Sequence, residues 1–275
     1  MTSEITEDNI REFQQNGAIC LRGVFDDQWI ELVKRGIEKN LADPSPEYSE
    51  NLKGDKGPGS YFNDYCNWER FDEFKQFVFE SPAAGIVGKL MNAKEVVFYH
   101  DHVLTKEPGT FKITPWHHDQ SYYPIDGWKA CSIWMPVDPV SMDTSIQYVS
   151  GSHRWGKWFH PRKFATLLNY DKISDYLEGR KYEQMPDIDN EIDKYEILKW
   201  EMKPGDCVVF HMLAVHGAPA NTSLNTPRRV LATRWLGEDA VMATRPWKPS
   251  PPITGGLKPG DRVLCDKFPL VWSAI

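Results

Sequence analysis

At Val96 the chain changes period, and that change limits what it can fold into more than any other feature. Before it, apolar residues recur at helical spacing; after it, short runs rich in β-branched and aromatic residues are separated by turns. Thr6-Glu7-Asp8 supplies a capping hydroxyl and early acids for a helix carrying Ile10 and Phe13, and Gly17 stops it. Ala18 to Leu21 reads as a short strand. Asp26-Asp27 opens a second helix with Trp29, Leu32, Val33, Ile37 and Leu41 on one face, and Asp43-Pro44-Ser45-Pro46 ends it. Two more helices are expected over 71–79 and 82–91, the latter with Ser81 as cap and Pro82 in its first turn. Residues 47–60, rich in Gly, Lys, Glu and Ser, read as a mobile loop. Strands are expected over 96–105, 130–136, 146–149, 207–211 and 230–236, with Lys106-Glu107-Pro108-Gly109 and Lys203-Pro204-Gly205-Asp206 as turns. Helices first and many short strands later predict an α+β protein, mainly β, whose second part is a sandwich or barrel. The stretch 161–201 reads as a charged, partly helical insert, and the tail after Pro246 is rich in Pro and Gly.

Composition excludes several classes. The net charge of −7 argues against nucleic acid, which needs a basic face. No apolar run reaches membrane-spanning length, and residues 1–16 are polar and acidic rather than a signal peptide, so a cytoplasmic protein with no membrane partner is expected. Five cysteines (Cys20, Cys66, Cys131, Cys207, Cys265) show no paired spacing, which points to separate reduced thiols rather than a zinc cage or disulfides.

The chemistry concentrates in Trp116-His117-His118-Asp119-Gln120-Ser121-Tyr122-Tyr123 and, about a hundred residues on, in His216-Gly217. His117 and Asp119 stand two apart, so in extended chain both side chains leave the same face. With His216 as third ligand, two imidazoles and a carboxylate would hold one metal ion and leave its other positions open, an arrangement suited to non-haem Fe(II) oxygenases. A lone His is more often structural than a ligand, and it is the combination that raises these three. His100-Asp101-His102 is a rival with no third ligand in a recognisable pattern; His102 is expected as a wall of the pocket or a supporting donor. His118 should face away, His211 should be structural or support the ligands, His153 should sit in a turn and His160 on the surface. Asp187-Ile188-Asp189-Asn190 lacks the Gly and Glu that a calcium loop requires and reads as a solvated acidic loop. Arg228-Arg229, twelve residues after His216, offers a guanidinium able to bind an organic acid through two parallel hydrogen bonds; the commoner fate of such a pair is a surface ion pair.

These residues together resemble the phytanoyl-CoA dioxygenase family: His117-His118-Asp119, Val149-Ser150-Gly151-Ser152-His153-Arg154-Trp155-Gly156, His216-Gly217 and Pro227-Arg228-Arg229, in that order, with the Lys106–Gly109 turn and Trp134-Met135-Pro136. The resemblance spans about Thr6 to Trp235. It implies a double-stranded β-helix (jelly-roll) core over about 96–240, helices outside it over about 1–95, and a single domain over 1–275. It further implies Fe(II), 2-oxoglutarate and O2 as metal, co-substrate and oxidant, with succinate and CO2 released and an unactivated C–H bond hydroxylated. His117, Asp119 and His216 would be the catalytic metal ligands. Arg228 would hold the far carboxylate of 2-oxoglutarate, with Arg229 the alternative if the register is off by one; Trp134, and His102 or Val103, would line the co-substrate site. The family often has Ser where this chain has Ala218, so one hydroxyl contact must be replaced. Related halogenases lose the carboxylate ligand, and Asp119 is intact, which argues against halogenation.

The substrate is expected to be a small or mid-sized metabolite, aromatic, cationic or amphipathic, with Trp116, Tyr122, Tyr123 and Tyr61 near it; Phe62, Tyr65 and Trp68 are further aromatics after the loop that could line the pocket. Ordinary core is the competing role for most of these rings. Long-chain acyl-CoA, the substrate of the family's namesake, would need a basic patch, and only Lys53 and Lys56 hint at one. The remaining alternatives are a non-turnover jelly-roll binder of metal or small ligand, and a zinc hydrolase. A monomer or homodimer is expected.

Overall fold

The computed structural model describes residues 4–53 and 57–274. Four α-helices precede the main body: α1 (Glu7–Asn16), α2 (Asp27–Ala42), α3 (Asp72–Glu80) and α4 (Ala83–Leu90). A reciprocal cap between Thr6 and Asn9 starts α1, and Gly17 ends it at φ 78°. Only glycine suits that position for a second reason: a Cβ there would lie 2.3 Å from the His153 imidazole.

Among the described residues, eight antiparallel strands form the larger sheet. The path runs Ala18–Leu21, Cys207–His211, Ala130–Pro136, Arg228–Leu236, Glu95–Lys106, Ser60–Tyr65 and Glu50–Lys53, with Leu270–Ser273 also paired to Glu95–Lys106. A second sheet carries Ile197–Leu198, Gln147–Val149, His216–Ala218 and Thr114–His117 in that order. The two sheets face each other across Trp134, Tyr148, Val208, Phe210, Ala218, Val230 and Ala232, which is a jelly-roll core. The larger sheet's other face packs on the helices, with Val33, Ile37, Phe74, Phe77 and Val87 against Val103, Ile133, Met135, Val209, Leu231 and Trp235.

Period two decides which residue lies in which layer. On Arg228–Leu236, Val230 and Ala232 look between the sheets, while Leu231 and Trp235 look to the helices. Ala232 pairs with His102 and Trp134, and Leu231 pairs with Val103 and Met135, so the neighbouring strands keep the same parity.

Four expectations change. The stretch 47–60 contains a hairpin, Glu50–Lys53 on Ser60–Tyr65, because backbone pairing extends the large sheet there despite the polar sequence; Lys56 lies outside the described residues. The insert over 161–201 holds no α-helix; it forms Tyr176–Leu177, Arg180–Glu183, Ile197–Leu198 and one 3-10 turn at Ile192–Lys194, since its apolar residues serve the smaller sheets. The tail returns to the core through Leu270–Ser273, whose Trp272 covers Gly88 of α4. His160 is buried, with Nε2 2.8 Å from Asp175.

Candidate metal centre

His117 ends its strand, His118 continues the extended chain, and Asp119 begins a 3-10 turn (Asp119–Tyr122). His216 starts the adjacent strand and pairs directly with His117. The register therefore brings together two histidines about a hundred residues apart. Asp119 Oδ1 stands 3.5 Å from His117 Nε2 and 3.6 Å from His216 Nε2, and the two imidazole centroids are 4.1 Å apart. All three residues are buried, and their ligand atoms lie within 4.8 Å of one another.

Each ligand is oriented from behind. His117 Nδ1 donates to the Pro115 carbonyl at 2.7 Å, and His216 Nδ1 donates to the Ala214 carbonyl at 2.9 Å. That fixes the tautomer in which both Nε2 atoms present lone pairs to the same point. Asp119 Oδ2 accepts from Ser132 Oγ at 3.0 Å and faces Arg234 Nη2 at 3.2 Å, leaving Oδ1 for the histidines. Burial alone would raise the Asp119 carboxyl; Arg234 and the two imidazoles outweigh it and hold it well below the usual range. Burial likewise lowers Arg234, but Asp119 reverses this and keeps its guanidinium firmly charged. Burial, reinforced by His117, pushes His216 down to about 3. Two neutral imidazoles and one carboxylate are the donor set that a divalent ion of the iron group takes.

The ligands open onto a cavity between the sheets, and Arg228 closes its far end. The Arg228 guanidinium carbon lies 6.0 Å from the centre of the Trp134 ring and a donor binds the Thr144 carbonyl. Lys106 lies alongside; its Nζ donates to the Pro219 carbonyl at 3.0 Å and sits 4.8 Å from the Tyr61 ring centre. Burial pushes Arg228 down to about 10, and burial followed by Arg228 pushes Lys106 well below its usual value. Neither cation has a carboxylate partner among the described residues. Arg229, one residue on, points to the helix layer, donating from Nε and Nη2 to Asp138 at 2.9 and 2.8 Å and from Nη1 to Glu38 at 3.3 Å. The carboxylate-holding alternative at Arg229 therefore fails by strand parity. Val103 fails for the same reason, being packed in the helix-side core, while His102 lines the cavity.

Tyr61, Tyr122 and Tyr123 also line the cavity. Trp116 does not: its indole donates to Asp189 at 2.7 Å and packs with Val149, Phe159, Ile188 and Val215. The rival set His100-Asp101-His102 resolves by parity too, since Asp101 turns away to accept the Asn67 and Trp68 amides at 3.0 and 2.8 Å. His118 faces away from the ligands and accepts the Phe159 amide at 3.2 Å. His211 accepts the Leu213 amide at 3.0 Å, and His153 lies in a short 3-10 turn. The sequence reading missed Arg234, Ser132, Lys106, Phe164 and Ser250. Alternation from Arg228 along its strand could have found Arg234, three side chains on along the same face.

The phytanoyl-CoA dioxygenase (PhyH) family model matches residues 13–230, most of the chain. The chain belongs to the phytanoyl-CoA dioxygenase family. A "Probable phytanoyl-CoA dioxygenase" of Caenorhabditis elegans is 24% identical over 147 residues, which is 51% of this chain and 42% of that protein. The match thus spans less than half of the curated relative's length. Among solved structures, the non-heme alpha ketoglutarate dependent carbocyclase SnoK from nogalamycin biosynthesis is similar with TM-score 0.72 at 21% identity, over 98% of this chain and 97% of that one. The epimerase SnoN, in complex with Fe3+, alpha ketoglutarate and nogalamycin RO, gives TM-score 0.73 at 19% identity over 97% and 98%. EctD from S. alaskensis, with 2-oxoglutarate and 5-hydroxyectoine, gives 0.65 at 17% identity over 95% and 86%. At these identities the likeness concerns the fold.

Proposed function

We propose that this member of the family is an Fe(II)- and 2-oxoglutarate-dependent oxygenase, a hydroxylase of a small or mid-sized metabolite, working as one domain. The observation that carries the reading is one cavity with three converging metal-ligand atoms at one end and two basic side chains, Arg228 and Lys106, with no carboxylate partner among the described residues at the other. Two cations without anions in a low-dielectric pocket are costly unless an acid joins them. A dicarboxylate reaching from His117, Asp119 and His216 to Arg228 and Lys106 satisfies both ends.

Iron held by those three ligands, with 2-oxoglutarate beside it, supplies O2 activation coupled to decarboxylation of the co-substrate. The chain's own part is positioning and exclusion. Ser132 and Arg234 hold Asp119 in the geometry of a ligand, and the backbone carbonyls of Pro115 and Ala214 hold the histidines. Arg228 and Lys106 place the co-substrate's far carboxylate, with Lys106 beside the backbone of Ala218, where relatives often carry a hydroxyl. Trp134, Ile146, Phe210 and Val230 keep water from the space between.

The test is anaerobic addition of Fe(II) and 2-oxoglutarate, watching for the weak visible band of the metal-bound 2-oxo acid. Wild type is expected to show the band and His216→Ala to lose it. Absence of the band in wild type at saturating iron would overturn the reading.

A further inference from the structure

From the metal cavity a slot leads outward, sharing Tyr65, Tyr122, Phe164 and Ser250 with it and continuing past Tyr48 and Tyr170. Its inner walls carry ring faces and edges, and its mouth is lined by polar residues such as Glu47, Glu50, Arg162 and Lys163. Phe164 packs 5.2 Å from the His117 ring and nearly parallel to Tyr61 at 6.4 Å, and Tyr170 meets Tyr122 edge-on at 5.6 Å. The wall is held firmly: Tyr122 Oη donates to the Arg162 carbonyl at 2.7 Å and accepts the Arg162 amide at 2.8 Å, pinning the segment that carries Phe164.

Tyr65 stands at the junction of slot and cavity. Its half-buried ring stacks on His102 at 3.8 Å, and its hydroxyl, which makes no hydrogen bond among the described residues, is accessible rather than sealed in. His102 Nε2, in the same wall, is buried and likewise without a partner. Buried polar atoms are normally satisfied, so the open His102 nitrogen marks where a ligand's polar atom sits, and the accessible Tyr65 phenol stacked on it offers a second contact. The charges around the slot select further. Glu47 and Glu50 have no ion pair among the described residues, Lys163 is taken by Asp171 at 3.0 Å, and Arg162 is turned onto the Leu167 carbonyl. Among the described residues, nothing there gathers cations for a phosphate or a CoA tail.

We propose that the substrate is a flat, ring-bearing, oxygenated small molecule, held between the aromatic walls of this slot with one of its oxygens on the Tyr65 hydroxyl. This rests on the oxygenase reading and names the substrate class of the same site. Flat rings gain contact on flat walls at low entropic cost, and offset or edge-on packing fits Phe164, Tyr122 and Tyr170 as they stand. Tyr65 is then a specificity-determining residue: it chooses which edge of the ring faces the metal.

The experiment is anaerobic calorimetry on the protein loaded with Fe(II) and 2-oxoglutarate, titrated with 1,5-dihydroxynaphthalene and separately with decanoyl-CoA. The diol should saturate a single site. Tyr65→Phe should weaken it roughly 2- to 10-fold, the value of one hydrogen bond, and Tyr170→Ala should weaken it by stripping a wall, both variants keeping the visible band. Failure of the diol to bind, equal binding by Tyr65→Phe, or tighter binding of decanoyl-CoA would overturn the proposal. Each of these can occur with the band intact, so the substrate class can fail while the oxygenase reading stands; loss of the band in wild type fails the oxygenase reading itself.

Discussion

At the scale of single residues, Arg234 matters as much as the ligands it never joins. Its guanidinium lies 3.2 Å from Asp119 Oδ2, and without it burial would drive the Asp119 carboxyl upward. Arg234→Met should weaken Fe(II) binding by about 10- to 100-fold, the usual loss when a ligand's support is removed, and the loss should grow as pH falls towards 5. Ser132→Ala should cost less, because Arg234 remains. Metal titration at pH 7.5 and 5.5 checks both, and unchanged affinity in Arg234→Met would show that Ser132 and the local backbone orient Asp119 without it. The contrast with the ligands says what a sequence reveals at this scale. His117 and Asp119 are visible because their relation is local, and His216 because of its motif. Ser132, Arg234 and Lys106 reach the site only through cross-strand register, which no local spacing announces.

At the scale of elements, the strand Arg228–Leu236 sorts its residues by parity, and two adjacent arginines have different fates. Arg228→Gln should lower 2-oxoglutarate affinity at least tenfold while leaving the fold nearly unaffected. Arg229→Gln should leave that affinity unchanged and cost about 1–3 kcal/mol of stability, because Glu38 is exposed but the buried Asp138 would lose a two-pronged charged partner. Anaerobic titration of the visible band and thermal melts separate the two. Gly17→Ala tests a junction between elements. The left-handed backbone alone costs roughly 1–2 kcal/mol, and the new methyl would press into His153, so a fall of several degrees in Tm is expected. Strands such as Ala130–Pro136 and Cys207–His211 are legible because each is a long apolar run. Glu50–Lys53, Thr114–His117 and Leu270–Ser273 are not, since they are short or polar and exist only by pairing with a neighbour.

At the scale of the whole molecule, the interior carries histidines that the fold keeps neutral. Burial pushes His100, His118 and His211 each down to about 3, none of them a ligand. An unfolded histidine takes up its proton near pH 6.5, so between there and about 3 the unfolded chain binds more protons than the folded one. Stability should therefore be greatest above pH 6.5 and fall as the solution is acidified, by about 1.4 kcal/mol per pH unit for each such group. Melts of metal-free protein from pH 7.5 to 5.0 should show a steep drop in Tm; a flat profile would mean these histidines are already protonated in the fold.

The same parity has a consequence for how such a chain can change. Removing one residue between Arg228 and Arg234 would put the two arginines on opposite faces and force either Leu231 and Trp235 or Arg228 out of its layer, so site and core would fail in one event. Length variation is barred from the central strands, where only substitutions are tolerable. Insertions and deletions fall instead to connections such as 161–201, whose Phe164 and Tyr170 wall the outer slot. A lineage built this way can acquire new substrates by lengthening and trimming loops while its reaction chemistry stays locked in frame.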